Sequence, residues 1–149
     1  MVITREQMIK RLTEEHLDFI SSIDVYGFSD GWNKNMLKSA ISTGNFSGLM
    51  YYENGEPLAF ITYSVAIDTA DIEEVFCLPK CRNKGIAKTL INAASAELKD
   101  MGVKKLFLEV KLDNIPAIKL YESLNFVNIS IRKKYYKDGK DALVYKKEL

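Results

Sequence analysis

The sequence predicts an α/β (α+β) fold: a mixed, mostly antiparallel sheet with a central parallel pair of strands, flanked by helices. Two observations support this prediction. First, a strand-like run at 71–78 precedes an amphipathic helix at about 85–101 and an apolar strand at 105–110, and such a crossover makes its two strands parallel. Second, an Asn-Gly pair at 54–55 and an Asp-Gly pair at 138–139 are typical of tight turns in antiparallel hairpins.

The N-terminal part is predicted to contain strands, two helices and an aromatic loop. Thr13 is a candidate cap for the first helix, in which apolar residues recur at three-residue spacing. The predicted elements are a strand at 1–5, a helix at 14–23, a loop at 26–33 that holds Phe28 and Trp32, a helix at about 33–42, and strands at 46–52 and 57–65. The turn at 54–55 joins the last two strands into a hairpin.

The C-terminal part continues the sheet around two further helices. The helix at 85–101 carries one apolar stripe and ends at Gly102, a residue type favoured just beyond a helix. The strand at 105–110 is mostly apolar, as expected for a strand buried on both faces. Asn114 is the candidate cap of the next helix. The remaining predicted elements are a helix at 115–124 and strands at 126–135 and 141–147.

Composition and charge limit the classes of function. A chain of 149 residues with 47% hydrophobic and 28% charged residues fits one soluble domain, 1–149. A net charge of +1 gives no basic field for nucleic acid, and no apolar run approaches the ~20 residues of a membrane span. Without a signal-peptide pattern, we expect a cytoplasmic protein whose Cys77 and Cys81 stay reduced. Their spacing and the single histidine, His16, do not suit a metal site.

The stretch after the strand at 71–78 has the features of a phosphate-binding turn. It joins a strand to a helix, where unpaired backbone N–H groups and the helix dipole favour an anion. Gly85 lacks a Cβ, so a phosphate can approach the backbone closely. We therefore expect a phosphate-bearing ligand to bind Arg82, Asn83, Lys84, Gly85, Ile86, Ala87 and Lys88. From these residues alone, a plain helix start with a solvated basic surface is the alternative.

This turn resembles the acyl-CoA-binding motif of the GNAT (GCN5-related N-acetyltransferase) superfamily, Gln/Arg-x-x-Gly-x-Gly/Ala, with Arg82, Gly85 and Ala87 at the fixed positions. The segments Leu-Glu-Val-Lys-Leu-Asp-Asn at 108–114 and Ala-Ile-Lys-Leu-Tyr at 117–121 resemble the pattern of RimI-type protein N-α-acetyltransferases. The resemblance covers essentially the whole chain and is strongest at 73–142. It implies a single GNAT-fold domain and acetyl-CoA as the co-substrate.

Three positions depart from the family pattern. Asn125 stands where the family usually has glycine at a helix end, and asparagine also tolerates a left-handed backbone. The run Glu-Glu-Val-Phe-Cys at 73–77 replaces the more usual Asn-Ile-Ala-Val and adds two carboxylates that can alter acceptor choice. Lys111 replaces a frequent arginine. We expect the turn at 125 and donor binding at 73–77 to survive these changes.

The strand before the turn is expected to hold the pantetheine arm of acetyl-CoA. Val75 and Cys77, with Phe76 between them, can offer backbone N–H and C=O groups to its amides where the parallel strands splay apart. A backbone N–H of the same segment is the candidate for stabilising the carbonyl oxygen. Asn114 is expected to reach the arm from the opposite side, and its alternative role is to cap its helix.

Two side chains are candidate catalytic residues. Glu109 ends a mostly apolar strand, and a buried carboxylate is an effective general base; a half-exposed glutamate paired with a lysine is the alternative. Tyr121 is a candidate general acid, although it also has the spacing of a core residue. RimI-type enzymes use this glutamate and this tyrosine as proton acceptor and donor, so the resemblance implies those roles here. Glu73 and Glu74 are rival bases, since some GNAT enzymes carry the carboxylate on the preceding strand.

The resemblance also implies direct attack on acetyl-CoA by the N-terminal amine of a protein, typically a ribosomal protein of the small subunit. The candidate walls of a peptide groove are Phe28, Trp32, Tyr135 and Tyr136, and the candidate partners for basic acceptor side chains are Glu73, Glu74 and Asp30. Three alternatives stay open. These are a GNAT enzyme acting on a polyamine, aminoglycoside or amino acid, a non-catalytic acetyl-CoA sensor, and an acyl-enzyme on Cys77. A monomer and a homodimer are both compatible with the sequence.

Overall fold

The computed structural model describes residues 6–22 and 34–149. The predicted strand at 1–5 and the predicted loop at 26–33, with Phe28, Asp30 and Trp32, lie outside these described residues. In chain order the elements are β1 (Gln7–Arg11), a 3-10 turn (Glu14–His16), α1 (Leu17–Ser22), α2 (Lys34–Ser42), β2 (Phe46–Glu53), β3 (Glu56–Ala66), β4 (Thr69–Cys77), a 3-10 turn (Pro79–Cys81), α3 (Ile86–Asp100), β5 (Lys105–Lys111), α4 (Ile115–Ser123), β6 (Val127–Arg132) and β7 (Ala142–Glu148).

The described strands form one seven-stranded sheet in the order β1-β2-β3-β4-β5-β7-β6. β4 and β5 are parallel, and the other neighbouring strands are antiparallel. The predicted mixed sheet with a central parallel pair is therefore confirmed, with α3 as its crossover helix. β1 was not predicted, because every residue of Gln7–Arg11 is exposed and no buried alternation marks it. Pairing with β2 forms this strand.

The sheet separates two apolar cores. α3 and α4 pack on one face, where Leu90, Leu98 and Leu106 are fully buried. α1 and α2 pack on the other face around Met50, Phe60 and Phe76, so they cover the β2–β4 side of the sheet. Because side chains alternate along a strand and Leu106, Leu108 and Val110 face the first core, the odd-numbered side chains of β5 lie on the second face.

Most helix boundaries follow from local signals that the sequence shows. Asn114 caps α4 by accepting a hydrogen bond from the Ala117 N–H to its Oδ1 at 3.3 Å, as predicted. Gly102 and Asn125 both adopt positive φ, at 93° and 70°, after α3 and α4. The first predicted helix is split, since a 3-10 turn precedes α1. There the Thr13 N–H donates to His16 Nδ1 at 2.9 Å.

Candidate active site

The candidate site lies where β4 and β5 separate. These parallel strands pair only at Thr69–Lys105, Ala70–Leu106 and Asp71–Phe107, among the described residues. Past Asp71 a bulge interrupts β4, because Thr62 of β3 lies opposite Glu74 while the next residue, Tyr63, lies opposite Ile72. The bulge and the early end of pairing open a gap between the two strands, as expected for a splayed pair.

Backbone groups of β4 point into this gap. The Leu78 N–H donates to the Leu58 carbonyl on the β3 side at 2.9 Å. Amide directions alternate along a strand, so the N–H and C=O groups of Val75 and Cys77 point to the opposite side, toward β5. Phe76 lies between them, with its ring buried 5.8 Å from the ring centre of Phe60. The predicted pairing groups are thus presented by Val75 and Cys77, and Phe76 spaces them.

The predicted phosphate turn begins α3, a helix of 15 residues. Gly85 has a φ of 78°, and a Cβ built on it meets no atom within 4 Å, so its outer side is open. Asn83 also adopts a positive φ, 63°. Ile86 is buried in the first core and anchors the helix start, whereas the Arg82, Lys84 and Lys88 side chains are exposed. This open helix N-terminus with exposed cations fits the diphosphate of acetyl-CoA.

Two contacts tie the phosphate turn to the end of β4. The Arg82 Nε–H donates to the Cys77 carbonyl oxygen at 3.2 Å. The Ala87 backbone N–H donates to the Cys77 sulfur, while burial, as the largest influence, raises the pKa of the Cys77 thiol to about 11. A thiol with that pKa carries its proton at neutral pH and is a poor nucleophile. Cys77 is therefore placed to present its backbone, and its sulfur fills space beside the turn.

Tyr121 approaches the gap from α4. Its ring packs edge to face against Phe126, with ring centres 5.9 Å apart. Burial raises the pKa of Tyr121 to about 12, and the negative charge of Glu74 adds to this effect. The phenol therefore stays protonated through the physiological range and can act as a donor. The Glu74 charge that reinforces this shift lies on the bulged stretch of β4.

Glu109 lies on the second face of β5 and is held by two partners. The Arg132 Nε is 3.3 Å from Glu109 Oε1, and the Glu109 side chain is 27% exposed. The Tyr135 hydroxyl donates a hydrogen bond to the Glu109 side chain, and that bond is the main reason why the pKa of Tyr135 is raised. The half-exposed glutamate of the sequence alternative is thus observed, with an arginine in place of the expected lysine.

Other carboxylates share this face with Glu109. Ile72 and Val75 both pack against the first core, so the two glutamates between them, Glu73 and Glu74, lie on the opposite side of β4. Burial raises the pKa of Glu73, whose Oε1 accepts from Ser64 Oγ at 2.7 Å. Burial also raises the pKa of Asp71, and the charge of Glu109 adds to that effect. Sequence reasoning retained both glutamates as rival bases and missed Asp71.

The loop between β6 and β7 folds over this face. Its Tyr135 and Tyr136 rings meet edge to face with centres 5.0 Å apart. The Lys111 Nζ lies 5.0 Å from the centre of the Tyr136 ring and 3.1 Å from Asp138 Oδ2. Burial raises the pKa of Tyr136, and the charges of Glu109 and Glu74 and the neighbouring Tyr121 reinforce this. Tyr136 therefore packs beside Tyr135 and Lys111 on the face that carries Glu109.

Other site types gain no support. No group of three or more histidine, cysteine or acidic residues in the described part of the chain is arranged to hold a metal ion. Both cysteines are free thiols. None of the helices within 6–22 and 34–149 is long and apolar enough to cross a membrane.

Comparisons with known proteins point to one family. The profile of the acetyltransferase (GNAT) family matches residues 9–126. An N-alpha-acetyltransferase of Saccharolobus solfataricus is 40% identical over 79 residues, which cover 52% of this chain and 47% of that protein. The ribosomal protein bS18-alanine N-acetyltransferase of Haemophilus ducreyi is 30% identical over 129 residues, 87% of this chain and 88% of that protein.

The crystal structure of the ribosomal-protein-S18-alanine N-acetyltransferase from Escherichia coli has the same fold. It matches with a TM-score of 0.87 and 28% identity, and the match covers 96% of this chain and 94% of that one. The family profile spans well over half of the chain, including the phosphate turn, β5 and α4. The chain therefore belongs to the GNAT acetyltransferase family and is an acyltransferase.

Proposed function

We propose that this enzyme uses acetyl-CoA to acetylate the N-terminal α-amine of a protein, by direct attack in a ternary complex. One observation carries the proposal: β4 and β5 stop pairing after Asp71 and Phe107, and both the candidate base Glu109 on β5 and the phosphate turn, which Arg82 ties to Cys77, border the gap that follows. The candidate proton donor, Tyr121, packs against Phe126 on the α4 side of the sheet. Two of the relatives named above, from Haemophilus ducreyi and Escherichia coli, are ribosomal-protein-alanine N-acetyltransferases, and a ribosomal-protein N-terminus is the acceptor class proposed here. A cytoplasmic location belongs to the same proposal, because ribosomal proteins are made there.

Donor binding is assigned to the turn and the splayed strand. Acetyl-CoA supplies the activated acetyl thioester. The residues Arg82, Asn83, Lys84, Gly85, Ile86, Ala87 and Lys88 hold the diphosphate with backbone N–H groups and exposed cations. Val75 and Cys77 pair their backbone with the pantetheine amides, in the way that an extended peptide adds to a sheet edge. Asn114 borders the arm on the α4 side while it caps its helix.

Proton transfer is assigned to Glu109 and Tyr121. Glu109 removes a proton from the acceptor ammonium, directly or through one water, so that a neutral amine attacks. Tyr121, which holds its proton at neutral pH because its pKa is about 12, donates to the sulfur as the thiolate leaves. A backbone N–H of the 75–77 segment donates to the carbonyl oxygen. Glu73 and Glu74 remain alternative bases on the same face.

The acceptor enters from the second face of the sheet. Tyr135 and Tyr136 form the described wall of its groove, and Phe28 and Trp32 remain predicted members outside the described residues. The similarity to an N-alpha-acetyltransferase and to a ribosomal protein bS18-alanine N-acetyltransferase favours a protein N-terminus over a polyamine, aminoglycoside or amino acid as the acceptor. The protonated Cys77 thiol, with a pKa of about 11, disfavours an acyl-enzyme.

The proposal is tested by thiol release from acetyl-CoA with two sets of acceptors. One set is peptides beginning Ala, Ser or Met, each matched to an N-blocked copy, and the other is polyamines, aminoglycosides and amino acids. We expect turnover only with free N-termini. Turnover confined to small amines contradicts the proposed acceptor.

The same assay on Glu109→Gln tests the base. We expect kcat to fall by roughly 10²–10⁴-fold while calorimetric affinity for CoA is kept, because the carboxylate acts on the acceptor. Glu148→Gln is the matched control, since this 63% exposed glutamate lies at the other end of the β5–β7 pair. Full activity of Glu109→Gln contradicts the assigned base and favours Glu73 or Glu74 in that role.

A further inference from the structure

We propose that Arg132, the last residue of β6, is a positioning residue of the reaction, which orients the Glu109 carboxylate and balances the negative charge gathered around it. The inference rests on the proposed role of Glu109 as the general base. It names a residue that would act through Glu109, two strands away, without touching the acetyl donor.

The sheet register explains how Arg132 reaches Glu109. Arg132 pairs with Ala142 on β7, and Ala142 pairs in turn with Lys111 on β5. Ala142 is fully buried, and its methyl group leaves a path across β7 for a long side chain. The guanidinium crosses that strand and ends 3.3 Å from the Glu109 carboxylate. Because Ala142 on the middle strand, β7, is small, the Arg132 side chain on β6 can reach Glu109 on β5.

Tyr135 completes a triangle with these two residues. The Arg132 guanidinium carbon lies 5.5 Å from the centre of the Tyr135 ring, and the Tyr135 hydroxyl donates to the Glu109 side chain. Each of the three side chains thus contacts the other two. A carboxylate held by two partners loses rotational freedom, so the direction of its proton-accepting oxygen is fixed.

Charge gives Arg132 a second task. The groups that face Glu109 are Asp71 and Glu73 from β4, Tyr135 and Tyr136 from the loop, and Arg132 from β6. Lys111, the next lysine on β5, is turned to Asp138 and the Tyr136 ring. Among the described residues, Arg132 is therefore the cation that contacts Glu109. Its charge also lowers the pKa of Asp71, which burial and Glu109 raise.

Removing the cation leaves neighbouring carboxylates with less compensation. Because the Arg132 charge lowers the pKa of Asp71, Asp71 should take up a proton at a higher pH once that charge is removed. The expected signature is a pH-dependent loss of activity, which is stronger in acid, together with unchanged donor binding. A merely structural role would lower activity evenly across pH.

The chain offers a closely matched control pair. Arg11 pairs with Glu97 on the far side of the molecule, with side-chain exposures of 55% and 25%, against 57% and 27% for Arg132 and Glu109. The experiment compares pH profiles of kcat/KM for a free-N-terminus peptide in wild type, Arg132→Gln, Arg132→Lys and Arg11→Gln. Melting temperature and CoA affinity are measured for each.

We expect Arg132→Gln to lose about tenfold in kcat/KM and to move the acidic limb up by about half to one pH unit. Arg132→Lys keeps the positive charge, so it should return the acidic limb of the pH profile most of the way to its wild-type pH. It should restore less of kcat/KM, because an ammonium lacks the planar, two-pronged geometry with which a guanidinium orients a carboxylate. Arg11→Gln should match wild type. A wild-type profile for Arg132→Gln, or an even loss across pH, overturns the inference while Glu109→Gln still reports separately on the base. If Arg132→Gln unfolds, a wild-type rate and profile for Arg132→Lys also overturns it.

Discussion

The proposed phosphate turn and the proposed catalytic site both border the gap between β4 and β5, but they are built in different ways. The turn is contiguous, residues 82–88, and offers backbone N–H groups fixed by Gly85 and the start of α3. The proposed catalytic site is assembled from both faces of the sheet: Glu109 on β5, Arg132 on β6 and the β6–β7 loop lie on the second face, and Tyr121 on α4 lies on the first. A backbone site depends on one chain geometry, whereas a convergent site depends on each side chain that reaches it.

Tyr121→Phe should give the largest effect among the tests of this contrast. The change keeps the ring that packs on Phe126 and removes the hydroxyl near Glu74. We expect kcat to fall by roughly 10²–10⁴-fold, because a positioned proton donor contributes about that much, with little change in CoA affinity or melting temperature. Steady-state kinetics with calorimetry of CoA binding measures both quantities.

Tyr145→Phe is the control for Tyr121→Phe. Tyr145 is a buried tyrosine, whereas Tyr121 is half-buried, and the Tyr145 hydroxyl donates to Glu122 Oε2 at 3.2 Å. Loss of that bond should cost about 1 kcal/mol of stability and leave kcat near wild type. Equal kcat losses in the two variants would mean that Tyr121 acts through packing. Tyr121 would then no longer count as a side chain of the proposed catalytic site.

The sequence predicts the contiguous site much better than the convergent one. The left-handed backbone at Gly85, Gly102 and Asn125 follows from residue type and position, because those signals are local. The contact between Arg132 and Glu109 depends on the register of three strands and on the small Ala142 between them. No local pattern encodes that arrangement.

The extent of the gap between β4 and β5 also could not be predicted from the sequence. A splayed pair was expected, but its start at Asp71 comes from the bulge at 73, which depends on pairing with β3. Simple alternation places Glu73 and Glu74 on opposite faces. The bulge puts both on the open face, because Ile72 and Val75 both pack inward. Strand alternation alone therefore could not predict that both rival bases lie on the same face as Glu109.

Thiol reactivity at Cys77 tests whether this residue contributes only its backbone or also a reactive side chain. With a pKa of about 11, this thiol should be about 0.1% ionised near pH 8 and react with iodoacetamide roughly 10²-fold more slowly than an ordinary cysteine. Because the raised pKa favours the protonated form, the rate should climb about tenfold per pH unit until the pH approaches that pKa. Mass spectrometry of the labelled Cys77 peptide, with the unfolded protein as reference, measures this. Fast labelling near pH 8, or an acetyl group on Cys77 after acid quench, would contradict a backbone role alone.

Gly85→Ala should give the smallest effect and tests the backbone side of the contrast. Alanine at a φ of 78° costs about 1–2 kcal/mol, and its methyl group projects into the open space assigned to the diphosphate. We expect acetyl-CoA affinity to fall about tenfold, and kcat at saturating donor to stay within about twofold of wild type, because the catalytic side chains are untouched. Calorimetric CoA binding and saturation kinetics report the two values.

Gly44→Ala separates backbone strain from donor contact. Gly44 has the same φ of 78° and the same open surroundings, but it lies in the turn between α2 and β2. Both variants should therefore lose similar stability on thermal melting, and Gly85→Ala alone should lose donor affinity. Equal donor affinities would mean that residues 82–88 do not hold the diphosphate. A large kcat loss in Gly85→Ala would instead mean that the turn positions the reacting groups, so that the two regions act as one site.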